Sequence, residues 1–523
     1  MTHPRDRLGL QTYDDDPAII GADPEFVLPR MIERWYRSDP HRPFLTEAET
    51  GRTETYGSFR DLTRRWASVL IDHGVESGNC VLSLLPSSID AHAVWLATSL
   101  VGAVEVAVNP DLSGAFLIHA LTHSNSAVCI ARPDQQPAIA DSGVIGLRLI
   151  LVEPRSSPAD RAPVADIAYL PTLTDPSCVI YTSGTSGPAK GVVIPWAQLA
   201  TTIGRIPRSW LSDQDCTYSP WPMFHVTGRS PMTSMADVGG QVVTRERFSL
   251  RHFWGDIDKH RCTTTTAGAV AKLLLAEPPD PADRGHSLQH VFLGSGPVGL
   301  QFTERFGVNG IACYGSTEVG FPIANPSITA DNANSLGWLR PGYEARVVDQ
   351  FGHDVGPDEP GELLIRPPSR GLILNEYLNE PDKTAGAVID GWYHTGDAVR
   401  LAADDSFTFV DRISDTIRRF GENISSRQLE LTVLTHPEVI ECAAIGIESG
   451  LSGQDVLLCI VAAPGFPLDA ARLSEGLADV LPPHMRPRYI SLLDELPKTP
   501  NGKVRKDALA EQIDLNRTWR SSD

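Results

Sequence analysis

One loop in the sequence combines glycines, hydroxyl side chains and a lysine in the way that anion binding requires. It follows the apolar run Cys178-Val179-Ile180, which predicts a buried strand, and a helix can start at Pro195. Backbone N–H groups, hydroxyls and the Lys190 ammonium can surround a phosphate there, although a flexible turn is the alternative interpretation. Gly191 after Lys190 excludes a Walker A loop. The segment reads Tyr181-Thr182-Ser183-Gly184-Thr185-Ser186-Gly187-Pro188-Ala189-Lys190-Gly191-Val192.

Two further motifs follow predicted strands. Gly294-Ser295-Gly296-Pro297-Val298-Gly299 has the spacing of dinucleotide-binding turns, but Pro297 and Val298 are unusual in such a turn. A strand-to-helix turn that needs small residues is the simpler interpretation. In Tyr314-Gly315-Ser316-Thr317-Glu318, the tyrosine can stack on a base, the threonine can donate to a phosphate and the glutamate can hold Mg²⁺.

Three short segments in the last third of the chain carry charged side chains in turns. Trp392-Tyr393-His394-Thr395-Gly396-Asp397 places a carboxylate where ribose hydroxyls could donate to it, and Asp411-Arg412 precedes a change in sequence character. Lys503 lies on a glycine-bearing turn, Pro497 to Val504. Each segment alone is as typical of a solvated turn as of a functional site. The order of the segments along the chain is therefore what indicates a function.

Taken in order, these motifs resemble the adenylate-forming superfamily, which includes acyl-CoA synthetases, the adenylation domains of nonribosomal peptide synthesis and firefly luciferase. The resemblance spans about Pro29 to Leu509 and, from Asp411 to Glu430, is most similar to carnitine/crotonobetaine-type CoA ligases. The motifs are the glycine-rich loop, Phe224-His225-x-x-Gly228, Gly294 to Pro297, Tyr314 to Glu318, Thr395-Gly396-Asp397, Asp411-Arg412, Gly421-Glu422-Asn423-Ile424 and Thr499-x-x-Gly502-Lys503.

The resemblance implies a fold and a division into domains. The expected class is α/β, with a large N-terminal domain of two α/β subdomains plus a distorted β-barrel, and a small mobile α+β C-terminal domain. We place the boundary after residue 413, which gives an AMP-binding adenylation domain at residues 1–413 and a mobile domain at residues 414–523.

The resemblance also implies an activity, the formation of an acyl-AMP from a carboxylic acid and ATP with Mg²⁺, followed by transfer to CoA. Residues at the acid and the reacting phosphate are Lys503, Thr317 at the α-phosphate, Glu318 at the metal and His225. Implied nucleotide contacts are Thr182, Ser183, Gly184, Thr185, Ser186, Gly187 and Lys190 at the outer phosphates, Ser295, Gly296, Pro297, Tyr314 and Gly315 at the adenine, and Asp397 and Arg412 at the ribose. Gly421 would line the route of the pantetheine arm.

Two departures from the family pattern concern the second half-reaction. Ser414 stands where the family usually has a hinge Asp or Lys, and Phe420 precedes Gly421 where many CoA ligases have a second glycine. Phe420 therefore leaves open a carrier protein, an amine or nitrite as the acceptor instead of CoA. Arginines around this turn are expected to meet the phosphates of CoA, with a solvated surface as the alternative: Arg418, Arg419 and Arg427.

Two functions of other classes compete with the ligase. A non-catalytic binding protein is disfavoured because Lys190, Glu318 and Lys503 are all present. The interpretation as a Rossmann dehydrogenase is supported by the Gly294 turn alone. The acid pocket is expected among residues 224–228, 265–268 and 319–323, whose small and apolar side chains indicate an aryl or medium-length unsaturated acid.

Composition predicts a globular protein of more than one domain. A chain of 523 residues with 41% apolar and 21% charged residues predicts at least two domains. The net charge of −20 argues against partners such as nucleic acid or an anionic membrane. The eight cysteines lack a C-x-x-C pair, and with no N-terminal signal peptide pattern we expect a cytoplasmic protein, a monomer or homodimer.

The elements that must position these motifs follow an alternating pattern. Strands and helices alternate from a helix start at Ser58, which predicts a parallel sheet with helices on both faces. Residues 338–368 are strand-like with several turn signals and predict a small β-rich subdomain. An α+β domain is expected from about Asp411.

Overall fold

The computed structural model describes residues 23–153, 162–164, 169–182, 189–202, 206–419, 422–449, 453–465, 468–478, 480–498 and 504–521. Among the candidate residues, Ser183 to Gly187, Gly421 and Lys503 lie outside these ranges. The α-helices are α1 (Leu28–Ser38), α2 (Tyr56–Asp72), α3 (Ile89–Leu100), α4 (Gly114–His123), α5 (Gln136–Asp141), α6 (Trp196–Ala200), α7 (Val226–Val238), α8 (Leu250–His260), α9 (Ala271–Ala276), α10 (Pro297–Phe306), α11 (Pro381–Ala387), α12 (Ser426–Val433), α13 (Ala470–Ala478) and α14 (Lys506–Gln512).

The strands form three sheets. They are β1 (Pro43–Glu47), β2 (Thr53–Thr55), β3 (Cys80–Ser83), β4 (Val104–Ala107), β5 (Val128–Ala131), β6 (Arg148–Leu151), β7 (Pro176–Thr182), β8 (Lys190–Pro195), β9 (Cys216–Ser219), β10 (Gln241–Thr244), β11 (Thr264–Thr266), β12 (His290–Leu293), β13 (Asn309–Ser316), β14 (Gly320–Asn325), β15 (Gly337–Leu339), β16 (Glu344–Val348), β17 (Gly361–Arg366), β18 (Glu376–Tyr377), β19 (Val388–Ile389), β20 (Trp392–Leu401), β21 (Ser406–Arg412), β22 (Ile417–Arg419), β23 (Glu422–Ile424), β24 (Val439–Ser449), β25 (Gly453–Ala462), β26 (Tyr489–Leu492) and β27 (Trp519–Arg520).

The seven-stranded sheet has the order β18-β8-β7-β4-β3-β5-β6, and its strands from β7 to β6 are parallel. Successive residues of a strand point to opposite faces, so Val81 packs with α3 while Leu82 packs with α4. Helices therefore cover both faces, as the alternating sequence pattern predicts. The glycine-rich loop connects β7 to β8, which pair as a hairpin with Thr182 opposite Lys190.

The fourteen-stranded sheet changes character along its length. Strands β1, β10, β9, β11, β12 and β13 are parallel neighbours, whereas the pairings from β14 to β16 are antiparallel. The antiparallel end contains residues 338–368 and corresponds to the predicted β-rich subdomain. In parallel strands the carboxyl ends share one edge, so the segments that follow β9, β11, β12 and β13 lie side by side.

The six-stranded sheet belongs to the last hundred or so residues and has two apolar cores of its own. A single 3₁₀ turn, Ile413–Asp415, separates β21 of the larger sheet from β22 of this one, and it contains Ser414. The buried Asp411 carboxylate accepts hydrogen bonds from the Ser425 and Ser426 hydroxyls, both at 3.0 Å, so contacts cross the turn.

One local prediction is wrong. Helix α2 is capped by Thr55, whose hydroxyl oxygen accepts from the Ser58 N–H at 3.1 Å while the Ser58 hydroxyl oxygen accepts from the Thr55 N–H at 2.8 Å. Ser58 therefore occupies the third helical position of a capping box instead of the cap. Among the described residues, no helix combines the length and the apolar character needed to cross a membrane.

Candidate functional site

The first group of candidate residues, the Asp397 cluster, consists of Tyr314, Asp397 and Arg412. Asp397 of β20 and Arg412 of β21 are directly opposite each other in the antiparallel ladder, and their Oδ1 and Nε atoms are 2.6 Å apart. The Tyr314 hydroxyl donates to Asp397 Oδ2 at 2.7 Å. Because β21, β15 and β14 separate β20 from β13 in the sheet order, this contact requires the sheet to bend back on itself.

Burial keeps the Tyr314 hydroxyl of the Asp397 cluster protonated. The Asp397 side chain is 5% exposed, whereas that of Arg412 is 36% exposed, so one face of the pair is open to a ligand. Burial, together with the charge of Asp397, raises the pKa of Tyr314 well above its usual value. Tyr314 therefore remains a hydrogen-bond donor at neutral pH, and other donors such as vicinal hydroxyls suit the carboxylate that it contacts.

A second group, the Tyr377 cluster, consists of Lys190, Glu318 and Tyr377. The Lys190 ammonium lies 4.9 Å from the centre of the Tyr377 ring, and the Tyr377 hydroxyl donates to Glu318 Oε1 at 3.3 Å. Tyr377 reaches this position because β18 pairs with β8 next to Lys190. The main chain of Glu318 is fixed in turn, since its carbonyl accepts from Leu374 N–H at 2.6 Å. This cluster joins the two large sheets.

The Tyr377 cluster places a positive and a negative group beside the end of the glycine-rich loop. Burial, and then the charge of Glu318, raises the pKa of Tyr377 to about 12, so its hydroxyl donates at neutral pH. Within the described ranges, no three His, Cys, Asp or Glu side chains are grouped closely enough to hold a metal ion. A single partly exposed carboxylate matches Mg²⁺, which usually binds proteins through one or two carboxylates and takes its other ligands from phosphates and water.

Close backbone approach explains two glycines of the predicted motifs. A Cβ atom on Gly315 would lie 1.7 Å from the Gly320 carbonyl oxygen, and one on Gly299 would lie 2.4 Å from the Gly294 carbonyl oxygen. Gly296 precedes α10 with φ of 111°, and Pro297 is the first helical residue. The turn after β12 thus lies beside the end of β13, which carries Tyr314.

The segment with Phe224 and His225 follows β9 at the same edge. The two rings are 4.6 Å apart, and His225 is the residue before α7. Buried groups hold this segment, since Arg229 donates to the Met223 carbonyl and to Glu105, both at 2.6 Å. Gly228 is required because a Cβ there would lie 2.2 Å from the Pro222 carbonyl oxygen. These contacts fix the segment that carries His225.

The expectation for the C-terminal arginines is wrong for Arg419. Arg419 is buried, its Nε is 3.3 Å from Asp455, and it donates to the Arg486 carbonyl at 2.7 Å. The Arg427 guanidinium lies 4.9 Å from the centre of the Phe409 ring. Only Arg418 of the three has an exposed side chain. Arg419 therefore stabilises the C-terminal domain, whereas a contact of Arg418 or Arg427 with the phosphates of CoA stays a prediction.

The structure adds two groups that the sequence analysis missed. Tyr377 links Lys190 to Glu318, and Gln198 of α6 donates to the Thr317 carbonyl at 2.7 Å. Gln198 is 2% exposed. A signal for Gln198 was its polar side chain within the apolar run Trp196 to Ala200. Tyr377 carried none, because its role depends on pairing between β18 and β8.

Comparison with known proteins identifies the family. The model for AMP-binding enzymes matches residues 32–378, and that for the AMP-binding enzyme C-terminal domain matches residues 428–503. A crotonobetaine/carnitine–CoA ligase of Salmonella paratyphi A is 28% identical over 484 residues, 88% of this chain and 93% of that protein. A sulfoacetate–CoA ligase of Cupriavidus necator is 28% identical over 492 residues, 89% of this chain and 94% of that protein.

Two solved structures share the fold. ATP-bound MatB from Rhodopseudomonas palustris has a TM-score of 0.83 at 23% identity, and the match covers 92% of this chain and 98% of the MatB chain. The o-succinylbenzoate CoA synthetase MenE from Bacillus subtilis, in complex with its acyl-adenylate, has a TM-score of 0.81 at 24% identity, and the match covers 92% of this chain and 97% of the MenE chain. The expected fold class, with a large N-terminal and a smaller C-terminal domain, is confirmed, as is the expectation of an enzyme. The chain belongs to the AMP-binding enzyme family.

Proposed function

We propose that this enzyme joins a small carboxylic acid to CoA in two steps. A carboxylate oxygen attacks the α-phosphorus of ATP and the bond to pyrophosphate breaks, which leaves an acyl-AMP. The CoA sulfur then attacks the acyl carbon, the bond to AMP breaks, and the thiol proton passes to solvent. The observation that supports this most is that the Asp397 and Tyr377 clusters meet at one segment, since Tyr314 and Glu318 both belong to the end of β13 and the turn after it.

The Asp397 cluster would bind the nucleoside. Asp397 would accept from both ribose hydroxyls, and its own contacts to Tyr314 and Arg412 hold the carboxylate in place before ATP arrives. The Tyr314 ring, at the end of β13 beside the Gly294 turn, would stack on the adenine. Such preorganisation reduces the entropy lost on binding.

The Tyr377 cluster would bind the phosphates. Lys190 would contact the outer phosphates together with the glycine-rich loop, and Thr317 would donate to the α-phosphate. Mg²⁺ held by Glu318 would neutralise charge where the carboxylate approaches the phosphorus. Tyr377 donates to Glu318 and so orients its carboxylate. Lys503, which lies outside the described residues, would bridge the acid and the α-phosphate.

We infer that the domain boundary at residues 413/414 is also the hinge between the half-reactions. Ser414 lies in the 3₁₀ turn between the two sheets, and a serine tolerates the torsion change that a rotation requires. Gly421 would admit the pantetheine arm. The relatives named for crotonobetaine/carnitine and for sulfoacetate act on small acids, and we propose an acid of this size for the pocket near Phe224 and His225.

One assay tests this function. The full-length protein is incubated with ATP, Mg²⁺ and each of a panel of acids such as crotonate, benzoate and sulfoacetate, with and without CoA. We expect pyrophosphate release that depends on one class of acid, and AMP and thioester that appear together only with CoA. Pyrophosphate release without any response to CoA would contradict the second step, and no release with any acid would contradict the first.

A further inference from the structure

Two histidines of α4 contact both ends of the glycine-rich loop. His119 and His123 are four residues apart, so they lie on one face of the helix, and their rings stack with centres 5.0 Å apart. His119 Nε2 is 2.9 Å from the Ala189 carbonyl oxygen, immediately before Lys190. His123 Nδ1 is 2.9 Å from the Tyr181 hydroxyl, immediately before Thr182. The two histidines thus contact the chain at the end of β7 and again just before β8 begins.

The contacts determine which ring nitrogen carries the proton. A carbonyl oxygen only accepts, so His119 Nε2 donates to Ala189. His123 Nε2 faces the Glu380 carboxylate at 3.5 Å, which favours a proton on Nε2 and leaves Nδ1 to accept from Tyr181. The His123 ring is therefore neutral in this arrangement.

A second segment connects these histidines to the Tyr377 cluster. Asn379 donates to the His123 carbonyl at 2.7 Å, and Glu380 pairs with both His123 and Lys383. Tyr377 lies two residues before Asn379 and contacts Lys190 and Glu318. The histidines, the loop ends and the phosphate-binding charges consequently form one continuous set of contacts.

We propose that His119 and His123 are positioning residues, which hold the ends of the glycine-rich loop in the arrangement that binds the phosphates of ATP. The proposal rests on the proposed function, because it takes the loop as the phosphate site. His119 would fix the end that carries Lys190, and His123 would fix Tyr181 at the other end. Neither residue touches ATP in this account.

Acid should weaken the arrangement. A proton on His123 Nδ1 would remove the acceptor for Tyr181 and add a positive charge beside His119 and Lys383, with only Glu380 in compensation; Cys80 is the remaining titratable group near Tyr181. Burial, and then His119, lowers the pKa of His123 below its usual 6.5. ATP affinity that depends on neutral His123 is thus complete at neutral pH and is lost as the pH falls through this lowered pKa.

The test measures binding of ATP with Mg²⁺ by calorimetry, using the full-length protein at neutral and mildly acidic pH, with melting curves for each variant. His123→Phe and Tyr181→Phe should each weaken ATP binding about tenfold, and the double variant should be no weaker than either alone. His123→Asn keeps an acceptor near the Nδ1 position and should stay within about threefold of wild type. His119→Gln keeps a hydrogen-bond donor and should bind ATP more tightly than His119→Leu.

The control is His73→Gln, because His73 Nδ1 lies 2.8 Å from the Val69 carbonyl of its own helix, near the end of α2. The ATP affinity of this variant, and the change in that affinity between neutral and mildly acidic pH, should match those of the wild type. Equal affinity in wild type, His123→Phe and Tyr181→Phe, or additive losses in the double variant, would overturn the proposal while leaving ATP binding established. Wild-type protein that binds no ATP would overturn both this proposal and the proposed function. If His123→Phe does not fold, Tyr181→Phe against His123→Asn decides the matter.

Discussion

The Asp397 and Tyr377 clusters are built in different ways. The Asp397 cluster lies within one sheet, where strand register alone places Arg412 opposite Asp397. The Tyr377 cluster draws its three residues from β8, β18 and the turn after β13, and thus from two sheets. Its charges are joined through a ring face and a hydroxyl, which are weaker contacts than the 2.6 Å pair of Asp397 and Arg412.

The two arrangements predict that the nucleoside side of the site is more rigid than the phosphate side. A buried carboxylate with two partners cannot move without leaving an uncompensated charge, so the nucleoside side should be rigid. On the phosphate side the Lys190 and Glu318 side chains are partly exposed around the buried Tyr377, so these two side chains can adjust when the charge on the nucleotide changes during the reaction. Substitutions should accordingly damage nucleotide binding most at Asp397 and act more gently at Tyr377.

The largest effect is expected outside both clusters. Lys503→Ala should lower the rate of adenylation about 10²–10³-fold, because under the proposed function it removes the charge that bridges the acid and the α-phosphate, and should spare thioester formation from pre-formed acyl-AMP. Each half-reaction is measured separately. Lys498→Ala is the control, since Lys498 pairs with Glu441 at 2.5 Å in the same segment. Equal losses in both half-reactions would contradict a role confined to the adenylation step.

Asp397→Ala should come next. Loss of the carboxylate removes the acceptor for the ribose and leaves Tyr314 and Arg412 without their shared partner, so the KM for ATP should rise about tenfold to hundredfold. Steady-state kinetics with varied ATP measure this, and melting curves separate it from unfolding. Asp354→Ala, which breaks an exposed 2.7 Å pair with Arg346, should leave the KM unchanged. An unchanged KM in Asp397→Ala would remove Asp397 from the nucleotide site.

Tyr377→Phe should have a smaller effect. It keeps the ring under Lys190 but removes the donor to Glu318, so kcat should fall about threefold to tenfold and more Mg²⁺ should be needed for half-maximal rate. Titration with Mg²⁺ checks this, with Tyr36→Phe on the exposed face of α1 as control. If Tyr377→Phe lowered kcat/KM for ATP as much as Asp397→Ala does, the phosphate side would be as rigid as the nucleoside side.

The smallest effect on overall rate is expected at His225. A carboxylate substrate is already ionised near neutral pH, so no proton need be removed from it. His225→Ala should therefore change the ratio of kcat/KM between acids more than it changes the pH profile. Rates with the acid panel at several pH values measure this, with the exposed His252→Ala as control. Loss of a pH-rate limb near the imidazole pKa would instead make His225 a general base.

Sequence reasoning anticipated the parts of the site that lie on short continuous motifs. The strand that leads to Tyr314 and the turn at Gly294 could be predicted because periodicity and glycine spacing are local. That Tyr314 touches Asp397 could not, since it depends on how a long sheet bends. Arg419 shows the opposite error: its charge indicated a phosphate contact, but the partner Asp455 lies on a distant strand. The functions of Tyr377 and His123 likewise depend on pairings between remote segments.

The most direct test of the account follows the oxygen atoms of the acid. An acid from the active class is labelled with ¹⁸O in its carboxylate and converted with ATP, Mg²⁺ and CoA, and the products are analysed by mass spectrometry. If the carboxylate attacks the α-phosphorus, one labelled oxygen must be found in AMP and none in pyrophosphate. Label in orthophosphate or pyrophosphate, or unlabelled AMP alongside thioester, would contradict the formation of an acyl-AMP.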